Sequence, residues 1–201
     1  MKQGTPEWVA ARLGHITSSR FGIIKFGSGG RMTGTAESYL YELIGEHMTG
    51  QPADVASSKS MDWGNKHENE ARQYYVLSTG KDVAEKGFHK HPTEEWIGCS
   101  PDGGLIEDDG LVEIKCPSTS KEHIRNMATG KVPTQYRDQV NGQLWVTGRT
   151  WCDFVSYDPR MRDKKMHVIR VLRDEEAIDE LEDRILRFRD KMLAQLAKVS
   201  K

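Results

Sequence analysis

The sequence predicts an α/β fold in which a mixed central sheet is flanked by helices. Three features lead there. Short β-type runs cluster between residues 83 and 116 and again between 151 and 172. Helical spacing of apolar residues governs the segments on either side, most clearly from Asp174 to Val199. The two element types do not alternate regularly, which favours a mixed sheet over a purely parallel one. With 201 residues and no internal repeat, a single domain over residues 1–201 can bury a sizeable core.

The elements follow in order. Residues 36–48 place Tyr39, Leu40, Leu43, Ile44 and His47 on one side of a helix. The small, polar stretch 50–60 reads as a loop. A second helix is expected from Trp63 to Ser78, stopped at Thr79-Gly80. Strands are expected at 83–91, 95–99, 103–107 and 111–116, with Asp108-Asp109-Gly110 as hairpin turn chemistry. Pro133 suits the first turn of a helix reaching Val146. On it Tyr136, Val140 and Leu144 form an apolar stripe, and Gln135, Gln139 and Gln143 a parallel polar row. Strands Trp151–Tyr157 and Met166–Leu172 come next. Asp174 then caps a helix whose apolar set is Ile178, Leu181, Ile185, Phe188, Met192, Leu196 and Val199.

Composition excludes several classes. No apolar run approaches the roughly 20 residues of a membrane span, and the first residues carry no signal-like run. Three scattered cysteines make neither a disulfide framework nor a four-thiolate cluster site, so a cytoplasmic protein is expected. A net charge of −1 does not announce a nucleic-acid binder. The charges are polarised, however. Lys2, Arg12, Arg20, Lys25 and Arg31 face only Glu7 within residues 1–31, and acids crowd residues 174–183. Such polarity can focus a polyanion on one side.

The chemistry concentrates in Ser100–Pro117. On the strand Leu111–Cys116, Val112, Ile114 and Cys116 share one face, and Glu113 and Lys115 the other. The hairpin returns Asp102 beside Glu113. Two carboxylates facing one lysine suit a hard divalent cation. Mg²⁺ held there would polarise a phosphoryl oxygen, and a second ion would stabilise the leaving oxygen. Lys115 would orient the attacking water, take its proton, or offset charge on the phosphate. Glu68 is a candidate third carboxylate, alongside Glu70 and His67. Cys116 shares the apolar parity and reads as a buried thiol. His89 and His91 read as strand-surface residues.

Pro101-Asp102 … Glu113-Ile114-Lys115 resembles the PD-(D/E)xK signature of restriction-endonuclease-like nucleases. Further segments sharpen the likeness: Leu13-Gly-His-Ile-Thr-Ser-Ser19, Trp63-Gly-Asn-Lys-His-Glu68-Asn-Glu-Ala-Arg72, Cys99–Gly103, Leu111–Pro117, Asp138–Gln143 and Tyr157–Met161. In this order they resemble the motifs of the YqaJ-type viral recombinase exonucleases, the family of the phage lambda exonuclease. Ser18 stands where that family usually has Ala.

The resemblance implies a restriction-endonuclease-like core. It implies a metal site of Asp102, Glu113, Glu68 and the Ile114 carbonyl, holding two Mg²⁺ with Mn²⁺ as substitute, and Lys115 as catalytic lysine. Arg12, Ser19, Ser100 and Gln139 would bind the 5′-phosphate of a DNA end, and Met61, just before the Trp63 helix, would be the strand-separating wedge. The activity implied is 5′→3′ digestion of one strand of duplex DNA, independent of ATP, giving mononucleotides and a 3′ single-stranded tail. A homotrimeric ring, a single-strand annealing protein as partner, and a phage or prophage origin in a bacterial cytoplasm complete the expectation. The rival readings are an endonuclease on the same fold and a non-catalytic DNA-binding module.

Overall fold

In the computed structural model of the chain, residues 2–53, 58–84, 87–105 and 108–201 are described. Helix α1 (Pro6–Arg12) starts at Thr5, whose side chain caps Trp8 N, with Pro6 in the first turn. Strand β1 (Ile16–Thr17) runs into a 3₁₀ segment, Ser18–Ile23. Helix α2 (Gly34–Thr49) buries Tyr39, Leu40, Leu43 and Ile44, as the spacing predicts. Helix α3 (Lys59–Thr79) begins a turn earlier than the sequence suggests, because Ser58 caps Met61 N at 3.2 Å. Met61 therefore lies on the helix and not ahead of it. Residues 54–57 of the expected loop lie outside the described residues.

The run expected as one strand over 83–91 is two short ones. Strand β2 (Val83–Ala84) joins the main sheet, and β3 (His89–Lys90) joins a small one with β1 and β4 (Ile97–Cys99). Here the chain leaves one sheet for another, which local β-propensity does not encode. His91 is also less exposed than a surface strand residue, packing 4.7 Å from the Trp145 ring. The main sheet runs β2, β5 (Gly103–Leu105), β6 (Gly110–Lys115), β7 (Trp151–Tyr157) and β8 (Met166–Leu172). Among the described residues of this sheet β6 and β7 pair in parallel, with Glu113 opposite Phe154, and the other pairs are antiparallel; β1 and β4 of the small sheet are also parallel. Positions 106–107 of the expected hairpin arm lie outside the described residues.

A parallel pair needs a long crossover. Helices α4 (Ser120–Thr129) and α5 (Thr134–Thr147) supply it. Helices α1 and α4 are short, and α4 is polar apart from Ile124, Met127 and Ala128, so apolar periodicity does not mark them. Helix α6 (Glu175–Val199) starts at Asp174, which caps Ala177 N, and buries Ile178, Leu181, Ile185, Phe188 and Met192.

Two cores flank the main sheet. The larger packs α2, α5 and α6 against Leu111, Cys152 and Phe154. The smaller packs Ala71 and Tyr75 of α3 against Val112, Ile114, Cys116, Val155 and Tyr157. Strand β6 is therefore covered on both faces, and Glu113 is fully buried. A face carrying Glu113 and Lys115 would ordinarily meet water. Alternation only says that two faces differ; whether a helix covers the polar one is decided by the crossover. Close packing also fixes the 3₁₀ segment: a Cβ on Gly142 of α5 would meet the Phe21 ring at 2.4 Å.

Candidate active site

Asp102 leads into β5, directly before Gly103, where a Cβ would meet Val83 at 2.3 Å. Its Oδ2 accepts from Ile114 N at 2.6 Å, and its carbonyl accepts from Arg72 Nε at 3.1 Å. The hairpin thus returns Asp102 to β6, and it is buried there. Glu113 faces α5. Its Oε1 accepts from Gln139 and Lys115, and its Oε2 from Gln143, each glutamine at 2.6 Å. Gln139 and Gln143 of the glutamine row are therefore the clamp on Glu113, while Gln135 is exposed. Gln143 carries no motif signal of its own; its spacing of four from Gln139 is what places it on the same helix face.

Lys115 stands 5.3 Å from the centre of the Tyr136 ring. Burial alone would lower its pKa, but Glu113 and Asp102 outweigh that and raise it above the ordinary lysine value. The ammonium is thus firmly charged beside the acids. Burial, and then the charge of Glu113, pushes the Asp102 carboxyl well above its usual range, with Glu68 adding to the shift. Burial also pushes the Cys116 thiol up to about 12, in keeping with an inert packing role.

Helix α3 brings Glu68. Ala71 and Tyr75 bury its inner face, which leaves Met61, Gly64 and Glu68 along the rim of a cavity of about 290 Å³. Ile114, Lys115, Cys116, Pro117 and Tyr136 form the other walls. Arg72, one turn on, pairs with Glu68 at 2.7 Å, so a single guanidinium ties Glu68 to the Asp102 backbone. Glu70 points elsewhere, accepting from Tyr157 Oη at 2.7 Å and contacting His67. Arg160 joins the cavity walls from outside. It donates to the Pro117 and Ser118 carbonyls and stacks 4.5 Å from the Trp63 ring.

A second cavity, of about 320 Å³, lies under α1 and α2. Arg12, His15, Thr17, Ser19, Arg20 and Met61 are among its lining residues. Met61 lines both cavities and is half exposed. The Arg12 guanidinium stacks 4.3 Å from the Trp8 ring, and among the described residues no acceptor hydrogen-bonds to it. Burial lowers its pKa. Ser100 reaches this region indirectly, accepting from Trp8 Nε1 at 2.9 Å. Gln139 does not line the second cavity; it serves Glu113.

The donor set suits a hard divalent cation. Glu113 and Glu68 raise the cost of ionising Asp102, and a cation relieves that cost. Among the described residues no three acids, histidines or cysteines are gathered as a ready-made cage. Lysine, arginine and glutamine donors hold the carboxylate oxygens of Glu113 and Glu68 instead.

The profile of the YqaJ-like viral recombinase domain matches residues 7–150. The chain belongs to this family. Across 98% of its length it is similar to the alkaline exonuclease LHK-Exo of Laribacter hongkongensis, at 38% identity and a TM-score of 0.86, covering 96% of that chain. LHK-Exo has also been solved in complex with dAMP. A phage-related exonuclease from Haemophilus somnus shares the fold, at 19% identity over 93% of this chain and 96% of its own, with a TM-score of 0.66. ExoD of Escherichia coli K12 is 29% identical over 68 residues, which is 34% of this chain and 78% of that protein. Among the described residues no helix is long and apolar enough to cross a membrane.

Proposed function

We propose that this member of the YqaJ-like family is a Mg²⁺-dependent, ATP-independent exonuclease. It would digest the 5′-ended strand of duplex DNA to mononucleotides and leave a 3′ tail for strand annealing. One observation carries the reading: an acid–lysine cluster adjoins a cavity holding an unpaired arginine, and Met61 borders both. A terminal phosphate would find a partner in the second cavity while the next phosphodiester occupies the first. The dAMP complex of LHK-Exo is in keeping with a nucleotide-sized product.

Asp102, Glu113, Glu68 and the Ile114 carbonyl would hold the metal, which supplies a polarised phosphoryl oxygen and a water acidic enough to attack. The chain's own groups do the rest. Gln139 and Gln143 fix the Glu113 carboxylate, and Arg72 fixes Glu68 relative to Asp102. Lys115, charged at neutral pH, offsets negative charge building on the phosphate. Arg12 and Ser19 would receive the 5′-phosphate, Ser100 would hold Trp8 beneath Arg12, and Met61 would part the terminal base pair. The same reading carries Mn²⁺ as substitute, two ions per site, a homotrimeric ring, an annealing protein as partner and work in a bacterial cytoplasm.

The test is digestion of linear duplex labelled on each strand, with Mg²⁺ present. Mononucleotides from the 5′-ended strand, with the other strand spared and closed circles intact, are expected. Cutting of closed circles would make the chain an endonuclease. Digestion undiminished in Asp102→Ala would overturn the site.

A further inference from the structure

We propose that Arg20 is a second phosphate-binding arginine, held by Glu42 until the 5′-phosphate of a DNA end displaces the carboxylate. The inference rests on the reading of the second cavity given above and adds a residue that none of the family-like motifs assigns.

Arg20 follows Ser19 at the start of the 3₁₀ segment, on the cavity wall. Its guanidinium lies 4.5 Å from the Tyr39 ring centre, and Nη2 donates to Glu42 Oε2 at 2.9 Å. Its Nε is buried and has no partner. A buried donor without an acceptor is costly, so the pocket wall leaves a hydrogen bond unmade. Arg12 stands near enough for the two like charges to repel.

Two nearby guanidiniums need anions between them. Two carboxylates line the cavity, Glu42 and Glu46. Glu46 is committed: its oxygens accept from Gly14 N at 3.0 Å and Ala53 N at 3.1 Å, which pins the loops around the cavity. Of the two, Glu42 hydrogen-bonds a guanidinium among the described residues, that of Arg20, while Glu46 reaches Arg12 only through its charge. A phosphate dianion between the arginines would satisfy Arg12, relieve the Arg12–Arg20 repulsion and offer acceptors to Arg20. The Arg20–Glu42 pair is partly exposed, with side chains 35% and 25% accessible, so exchanging partners costs little. Glu42 then acts as a counterweight: it keeps Arg20 in place but competes with the phosphate, sharpening the contrast between phosphorylated and hydroxyl ends.

The test measures binding of the full chain to a short duplex bearing a 5′-phosphate or a 5′-hydroxyl, with EDTA present to prevent hydrolysis. The readout is the ratio of the two affinities for wild type, Arg20→Ala, Glu42→Gln and Arg12→Ala. Losing one charge-assisted hydrogen bond predicts that Arg20→Ala lowers the ratio about tenfold. Removing the competing carboxylate predicts that Glu42→Gln raises it. A merely structural ion pair would make both variants fall together, or leave both at the wild-type ratio with lower melting temperatures, and either result overturns the proposal. If Arg12→Ala loses the ratio while Arg20→Ala keeps it, the pocket stands and Arg20 is excluded. If neither changes it, the pocket reading itself fails. Should Arg20→Ala not fold, Glu42→Gln decides: no rise in the ratio sinks the idea.

Discussion

The two cavities beside Met61 are built on opposite principles. Around β6 the charged groups already have protein partners: Glu113 has a lysine and two glutamines, Glu68 has Arg72, and Asp102 has the Ile114 amide. Under α1 the Arg12 guanidinium has an aromatic ring beneath it and, among the described residues, no hydrogen-bond acceptor. The first arrangement holds reacting groups in fixed geometry, as catalysis by preorganised charge requires. The second leaves a charge unsatisfied, as a recognition site requires, so that ligand binding is not an exchange of equals. Their supports differ accordingly. Glu113 sits on a central strand between two cores, with Asp102 leading into the neighbouring strand and Glu68 on α3, whereas the arginines sit on a short helix and a 3₁₀ segment.

The strongest way to break the comparison is to neutralise the acid centre. Asp102→Asn should cut Mg²⁺-dependent digestion by about 10³-fold or more, yet melt higher than wild type in EDTA. The sign follows from the raised carboxyl pKa. A folded-state pKa above the unfolded one favours the protonated form, so that contribution to stability is present at low pH and lost as pH rises through the folded value. At neutral pH the ionised carboxylate opposes folding, and Asn removes the opposition while still accepting from Ile114 N. A lower melting temperature would show that Asp102 is not strained by its neighbours.

Next in size, Lys115→Ala should lower turnover about 10²–10⁴-fold with end-binding affinity little changed, as separate kcat and KM measurements would show. Arg12→Ala should do the reverse. Affinity for 5′-phosphorylated ends falls about tenfold, and kcat on saturating DNA moves less. A kcat collapse in Arg12→Ala would erase the distinction between the cavities. The smallest effect is on stability. Gln143→Leu leaves Glu113 Oε2 buried without its donor and should cost about 1–3 kcal/mol, read as a lower midpoint in urea at unchanged slope.

Much of the site is legible along the chain because its parts are local. Asp102 and Glu113 are brought together by one hairpin, and Glu113 and Lys115 share a face by strand parity. The stripes of α2, α5 and α6 give their buried faces directly, and the caps at Asp174 and Gly80 were equally visible. What could not be read was non-local. The split of 83–91 between two sheets depends on partners far along the chain, and Ser58 moves the start of α3 by a turn, placing Met61 on the helix.

By itself the sequence determined which residues meet at the candidate site, since a turn, a strand's alternation and a helix's period are short-range consequences of backbone geometry. Only the tertiary structure decided what surrounds them. The α4–α5 crossover that makes β6 and β7 parallel lays α5 over the polar face of β6, so Glu113 is buried and Gln139 and Gln143 become its clamp. Packing of α1, α2 and the 3₁₀ segment likewise sets Arg20 between Tyr39 and Glu42 and leaves Arg12 without an acceptor. Charges fixed by sequence acquire their energies from dielectric surroundings and partners, and those exist only once distant segments have packed.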